Sequence, residues 1–178
     1  GASHDTRDDT YCGAAAFSEP ESSAIRDLAA ARGFRGSLNY HSEGETVGWP
    51  WGYTMDLSTP DNESLARLGS RIASRIPRSL DPGTYTALQS SRFYEVAGEH
   101  DDWIYGFSRY QENATVYPFT IEVATTTRPP ADQVPAIAAA PRESPRFVSE
   151  WILAGDLPPP PPAAPMGPSG RMAGIPAT

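Results

Sequence analysis

The sequence predicts an α/β fold followed by a disordered, Pro-rich C-terminal tail. Segments with helical spacing of apolar residues alternate with segments of strand-like alternation, the order typical of α/β domains. The last 21 residues, 158–178, contain eight prolines, and five of them form the run 158–162. Proline lacks a backbone donor and favours extended polyproline II, so this stretch is expected to form no core of its own.

The first predicted element is a helix within 17–34. Ser18 is a suitable N-cap, and Gly33 is a suitable C-cap because glycine adopts the left-handed conformation at little cost. Apolar and polar residues alternate up to His41, which predicts a strand that ends there. A polar turn follows, and residues 46–51 are predicted to form a second strand.

A second helix is predicted at 62–76, where leucine and isoleucine recur every three or four residues. Residues 84–96 are weakly strand-like, and 101–105 fit a helical turn. Another strand is predicted at 115–124, with Phe119 and Ile121 on an apolar side and Glu122 opposite them.

The last part of the globular segment, 128–151, is predicted to be a loop and then a helix. This helix begins at about residue 131 and is interrupted near Pro141 and Pro145. Helices and strands thus alternate along the chain, which indicates the α/β class but leaves the order of strands in the sheet open.

Composition limits the function classes. The chain has 178 residues, with 22 acidic and 14 basic ones, and a formal net charge of −8. This acidic balance argues against nucleic acid as the main partner. A transmembrane helix needs about 18 consecutive apolar residues, and the longest apolar runs of this chain are far shorter. The sequence therefore excludes a transmembrane helix, and we expect no membrane partner. The single cysteine, Cys12, can form no internal disulfide.

Few residues are candidates for chemistry on spacing alone. No nucleophile elbow, phosphate-binding loop, dinucleotide fingerprint or HExxH motif occurs in the sequence. The candidates that remain include His41 at a strand end and Glu122 on the polar side of a strand. Three others, Tyr94, His100 and Asp101, lie in one acidic, aromatic stretch. Each also has an ordinary structural explanation, because such residues are most often loop, surface or packing residues.

Four blocks in order resemble the C-terminal half of the zinc carboxypeptidases of the A/B type. They read DTYCGAAAFSEPESSAIRDL, LNYHSEGETVGWPWGYT, FYEVAGEHDDWIYG and YPFTIEVATTTRPPADQVP. The family patterns that they resemble are ETYxGxxAFSEPE, HSYxxxxxYPYGYT, YxxxGxxxDWxYG and SFTFELxxxxFxPPxxxI. The blocks span about 9–150. The resemblance therefore implies part of a mixed β-sheet flanked by helices, and it implies hydrolysis of C-terminal peptide bonds with Zn²⁺ as the cofactor.

The resemblance also implies a role for each site residue. His41 falls on the third zinc ligand and Glu122 on the catalytic base and acid. Tyr94 falls on a mobile tyrosine that closes over the substrate, and Ser42 is assigned to substrate binding beside His41. Asp101 falls at the bottom of the pocket for the C-terminal side chain, where a carboxylate would favour Lys or Arg.

The implied partners are the C-termini of peptides or proteins, and the family leads us to expect secretion, although no signal peptide is visible. The implied domain organisation is a lead-in at 1–8, the C-terminal portion of a catalytic domain at 9–154, and the tail at 155–178.

Three departures from the family pattern qualify these expectations. The HxxE motif that supplies the first two zinc ligands occurs nowhere in the sequence, so the chain provides one ligand of three. We therefore expect the isolated chain to be inactive and poorly stable. Glu43 stands where the family has Tyr, and Cys12 stands where it has Arg or His.

Two alternatives to an enzyme fragment stay open at this point. One is a degenerate relative that binds peptides without cleaving them, although such a domain would have no need of both His41 and Glu122. The other is an interaction domain whose Pro-rich tail docks into an aromatic groove.

Overall fold

A computed structural model describes residues 2–155 of the chain. The helices are α1 (Pro20–Arg32), α2 (Asn62–Ala73), α3 (His100–Tyr110), α4 (Val134–Ala139) and α5 (Ser144–Leu153). The strands are β1 (Gly36–His41), β2 (Thr46–Trp49), β3 (Thr86–Gln89) and β4 (Tyr117–Glu122), and a short 3₁₀ helix occupies Ser90–Arg92. The disorder predicted for the Pro-rich tail concerns residues outside the described ones.

The four strands form one mixed sheet in the order β1-β4-β2-β3. β1 runs parallel to β4 and β2 runs parallel to β3, whereas β2 and β4 are antiparallel. This arrangement, with helices on both faces, confirms the predicted α/β class and the mixed sheet flanked by helices.

The main core lies between the sheet and the helices α2 and α5. Leu65, Leu68 and Ile72 of α2 are completely buried, as their helical spacing predicts, and they belong to the same core cluster as Phe119 and Ile121 of β4. On the other face of the sheet, α3 packs against β4, and α1 adds a smaller cluster beside α3.

Several predicted boundaries are corrected by the structure. The stretch 84–96 contains only the four-residue strand β3 before the 3₁₀ helix, and the turn predicted at 101–105 is part of the eleven-residue helix α3. Helix α1 begins at Pro20 with Glu19, not Ser18, in the N-cap position. Its predicted C-cap is confirmed, because Gly33 has a φ of 58° and donates its backbone N–H to Ala29.

Two groups of hydrogen bonds and ion pairs hold the helices and the loop after β2 in place around the sheet. Asp61, which precedes α2, accepts a 2.7 Å hydrogen bond from the Tyr105 hydroxyl and lies 3.3 Å from the Arg109 guanidinium, and all three residues are buried. The Gln89 amide donates to the backbone oxygens of Trp51 and Leu57 and so holds the loop after β2.

Among residues 2–155, no helix combines the length and the apolar character needed to cross a membrane.

Candidate active site

The predicted metal ligand and the predicted base lie side by side at one edge of the sheet. His41 is the last residue of β1 and Glu122 is the last residue of β4, and the two are direct partners in the parallel ladder. The backbone continues this pairing, because Val123 donates its N–H to the His41 carbonyl oxygen at 2.7 Å. The carboxyl ends of parallel strands meet at one edge of a sheet. The sequence predicted the strand end at His41 but placed Glu122 inside a strand, on its polar side.

The two side chains differ in exposure. His41 and Ser42 are exposed, and the Ser42 hydroxyl has only a long, 3.4 Å contact to the Thr127 carbonyl oxygen. Glu122 is half-buried, and burial raises its pKa above the ordinary value while His41 lowers it and Glu43 raises it further. Among residues 2–155, Glu122 is one of the groups whose buried side-chain oxygen, Oε2, has no hydrogen-bond partner.

A small cleft of about 30 Å³ opens beside Glu122. We call it the Glu122 cleft. It lies between β2, β3, β4 and the segment that leads into α3. Its lining consists of Thr46, Gly48, Leu88, Ser90, Phe93, Tyr94, Val96, Glu99, Thr120 and Glu122.

Tyr94 stands at the cleft with 57% of its surface exposed. Its ring lies 5.2 Å from the ring of Phe93. Burial raises the pKa of its hydroxyl, and the charges of Glu122 and Glu99 raise it further. The structure thus brings Tyr94 and Glu122 to the same cleft, with a protonated hydroxyl available to donate a hydrogen bond at neutral pH.

Asp101 occupies a different position from the other predicted site residues. Its side chain is completely buried, and its two oxygens accept 2.8 Å hydrogen bonds from the Asn39 amide and the Thr120 hydroxyl. Burial and the charge of Asp102 raise the pKa of Asp101 to about 7, although the two hydrogen bonds oppose the rise. Asp101 is not part of the lining of the Glu122 cleft, from which Thr120 separates it.

Asp102 connects the loop after β2 to helix α3. Its carboxylate accepts hydrogen bonds from the backbone N–H groups of Gly52 and Tyr53, at 2.8 and 3.0 Å. Burial raises the pKa of Asp102 to about 6 despite these donors. The loop after β2 is therefore tied to the first turn of α3, and this tie positions the segment that carries Tyr94.

Glu99 is the cleft residue that sequence analysis did not single out. It precedes α3, and burial together with the charges of Asp101 and Asp102 raises its pKa to about 8. The family pattern YxxxGxxxDWxYG leaves this position open, so the resemblance gave no reason to select it. The available signal was three acidic residues within 99–102, which indicate mutual repulsion if the segment is buried.

The described residues do not form a complete metal site. Within residues 2–155, no group of three or more His, Cys, Asp or Glu side chains is placed to hold a metal ion. His41 supplies one imidazole, whereas a catalytic zinc ion usually has three protein ligands. The chain's own donor set therefore fits one part of a zinc site and not a whole one.

Comparisons with known proteins agree with the geometry. The family model described as "Zinc carboxypeptidase" matches residues 1–144. Human carboxypeptidase B is 29% identical over 160 residues, which cover 86% of this chain and 36% of that protein. Mouse carboxypeptidase B2 is 33% identical over 132 residues, which cover 72% and 29%. The chain thus spans about a third of the length of these relatives.

Solved structures share the fold. Bovine thrombin-activatable fibrinolysis inhibitor, in complex with tick carboxypeptidase inhibitor, superposes with a TM-score of 0.68 at 22% identity, covering 86% of this chain and 52% of that one. Carboxypeptidase A from Helicoverpa armigera gives 0.63 at 23% identity, with 84% and 37% covered.

Proposed function

Because the chain belongs to the zinc carboxypeptidase family, we propose that it carries the catalytic base and one metal ligand of a metallocarboxypeptidase. The substrate is the C-terminus of a peptide or protein, and the reaction releases its last residue. The observation that carries this proposal is the pairing of His41 with Glu122 at one sheet edge, beside a cleft that also contains Tyr94.

Glu122 suits the role of general base and acid. A half-buried carboxylate with a raised pKa and an unpartnered oxygen can take a proton from an attacking water and deliver it to the leaving amine. Its position at the end of β4 holds it on a rigid element, which this kind of proton transfer requires. Ser42, next to His41, and Tyr94, at the cleft, would donate hydrogen bonds to the bound peptide.

Zinc would supply Lewis-acid activation of the water and of the scissile carbonyl. The residues of this chain provide His41 toward it, so two further ligands would have to come from another stretch of polypeptide. The steps assigned to the chain therefore involve only its own side chains, and we propose that the isolated chain is inactive. Secretion of the whole protein remains part of the proposal, by analogy with the family.

The test uses the longest polypeptide that the gene encodes around this chain, with zinc supplied. We expect release of the terminal residue from benzoylglycyl-arginine or benzoylglycyl-leucine, and we expect Glu122→Gln to lower kcat about 100-fold or more. Glu112→Gln removes the same charge from an exposed position after α3 and serves as the matched control.

Two results would overturn the proposal. One is full activity of Glu122→Gln. The other is a wild-type protein that binds these peptides without cleaving them, which would establish the alternative of a peptide-binding domain without catalysis.

A further inference from the structure

A row of exposed arginines follows one side of helix α2. Arg67, Arg71 and Arg75 are spaced by four residues and are all exposed, whereas the leucines and the isoleucine of α2 lie in the main core. The segment 64–80 contains four arginines and neither Asp nor Glu, although the whole chain has a net charge of −8. We call Arg67, Arg71 and Arg75 the arginine row. It concentrates positive charge on a narrow surface of an acidic protein.

The charges of the row are not balanced by neighbouring carboxylates on the same helix. Like charges four residues apart on a helix repel each other and destabilise it. The acidic residue of α2 is Glu63, one turn before Arg67 and at the far end from Arg75. Among residues 2–155, neither Arg71 nor Arg75 forms an ion pair. The uncompensated repulsion indicates a partner that supplies negative charge.

The Arg75 side chain is held ready for such a partner. Its guanidinium carbon lies 3.9 Å from the centre of the Phe147 ring, and its Nη1 donates a 2.6 Å hydrogen bond to the Arg71 carbonyl oxygen. Phe147 is itself half-buried and packs against the main core. A guanidinium that stacks on a ring keeps the other donors in its own plane available, and these donors match the two oxygens of a carboxylate.

The carboxylates beside Arg75 on the neighbouring helix already have a cation. Arg75 and Phe147 line a groove of about 440 Å³ together with Glu143, Arg146 and Glu150. The Arg146 guanidinium lies 3.3 Å from Glu143 and 3.8 Å from Glu150. Arg146 thus offsets part of their charge, and the groove leaves space beside Arg75 for a ligand.

The spacing of the row matches an extended peptide. Four residues of α-helix advance by about 6 Å along the helix axis. Every second side chain of an extended peptide lies on the same side, about 6.6 Å from the last. Arg78, the next arginine along the chain, does not extend the row, because it pairs with Glu45 at 2.9 Å. The row therefore fits a short segment with alternate acidic residues.

We propose that the arginine row binds a short, extended segment of a partner protein in which every second residue is Asp or Glu. A short segment fits better than a long polyanion, because the net charge of −8 repels a polymer that runs beyond the row. Helix α2 covers the sheet face opposite α3. The inference therefore goes beyond the proposed function and does not depend on it.

Fluorescence polarisation with the longest polypeptide that the gene encodes around this chain tests the proposal. The probe is the peptide Glu-Ser-Glu-Ser-Glu with an uncharged label and an amidated C-terminus, and Gln-Ser-Gln-Ser-Gln is its neutral counterpart. We expect the acidic peptide to bind about tenfold or more tightly than the neutral one. This difference should shrink when NaCl is raised from about 0.05 to 0.3 M, because salt screens exposed charges. The peptide Glu-Glu-Glu-Ser-Ser has the same charge in another spacing and should bind about threefold more weakly.

Single substitutions locate the binding surface. Arg71→Gln and Arg75→Gln should each weaken binding of the alternating acidic peptide about threefold or more. Arg32→Gln is the matched control, because Arg32 is an exposed arginine in the last turn of α1. It should leave the affinity unchanged. Thermal unfolding of each variant checks that it is folded.

Several results would overturn the proposal. They are equal affinity for the acidic and the neutral peptide, no binding of either, and an equal loss of affinity in Arg32→Gln and Arg71→Gln. Heparin or single-stranded RNA that binds more tightly than the peptide and depends on Arg71 and Arg75 would assign the row to a general polyanion and also contradict the proposal.

Discussion

His41 and Glu122 are direct partners at the carboxyl ends of two parallel strands. Their relative position is therefore set by the ladder of β1 and β4 and not by a loop. Most of the cleft lining comes from residues between them in sequence, so the fold brings this edge of the sheet and the cleft together from distant parts of the chain. Placement on paired strands gives the rigidity that proton transfer at a fixed water requires.

The first prediction concerns the hydrogen bond between Thr120 and Asp101. Thr120→Val removes one of the two donors to a completely buried carboxyl group with little change of shape. We expect the free energy of unfolding to fall by about 1–3 kcal/mol. The donor favours the ionised form, so the loss should be larger at pH 8 than at pH 5, on either side of the Asp101 pKa of about 7. Urea unfolding at both pH values measures it.

Thr86→Val is the matched control, because Thr86 lies exposed on strand β3. An effect of the same size in both variants, or none in Thr120→Val, would show that the Asp101 contact does not contribute as described.

The second prediction concerns Glu99 and stability. Its pKa of about 8 in the folded chain lies above the ordinary value of 4.5, so the folded state binds the proton more tightly than the unfolded state. Wild-type stability should therefore fall as the pH rises from about 4.5 to 8. Glu99→Gln has no carboxylate to ionise, so its advantage over wild type should grow across this range, to at most about 5 kcal/mol, since each pKa unit corresponds to about 1.4 kcal/mol.

Thermal unfolding of both proteins from pH 4.5 to 8 tests this prediction. The neighbouring groups that also titrate, Asp101, Asp102, Glu122 and Tyr94, are present in both proteins, so the difference between the two reports Glu99. A variant whose stability follows the wild type in parallel across the range would show that Glu99 is not a buried acid.

The third prediction concerns the size of the cleft. Gly48→Ala places a methyl group against Ser90 Oγ at the cleft wall. For the longest encoded polypeptide we expect about a tenfold loss of kcat/KM with arginine-ended peptides, because steric exclusion from a pocket is worth about 1–3 kcal/mol. Alanine-ended peptides are the internal control and should be cleaved as before. An equal loss for both peptides would point to a general disturbance of β2.

The fourth prediction concerns the buried tie between Asp61 and Tyr105. Tyr105→Phe removes the 2.7 Å hydrogen bond to a buried carboxylate without changing the packing of the ring. We expect destabilisation of about 1.5–3 kcal/mol in urea unfolding. Tyr40→Phe removes a hydroxyl from a half-exposed ring and should change stability little, so similar values for the two variants would contradict the account.

Local patterns in the sequence were sufficient for most helices and for the end of strand β1. The spacing of Leu65, Leu68 and Ile72 requires one buried helix face, and the structure confirms it. The alternation up to His41 placed that residue at a strand end, whereas the strand predicted around Glu122 extended to residue 124 and in fact ends at Glu122. The order of the strands was not predictable, because pairing between β1 and β4 depends on contacts that have no local signal.

The chemistry of the cleft was less predictable than its location. Spacing alone favoured a surface turn for residues 100–102, but Asp101 is completely buried and accepts hydrogen bonds from Asn39 and Thr120, which are far away in sequence. Thr120, on the polar side of β4, is buried because α3 covers that face, and the alternation of the strand gives no signal of this cover. A carboxylate that already accepts hydrogen bonds, as Asp101 does from Asn39, is less available to a ligand. The sequence does not show such hydrogen bonds, because the two partners are far apart along the chain.

The most direct test of the central claim is the product pattern of peptide digestion. A peptide with several arginines at its C-terminus is incubated with the longest encoded polypeptide and zinc, and mass spectrometry follows the products. The account predicts a ladder of fragments shortened by single C-terminal residues, and no ladder with Glu122→Gln. Internal cleavage, an uncut peptide, or the same ladder from Glu122→Gln would contradict it.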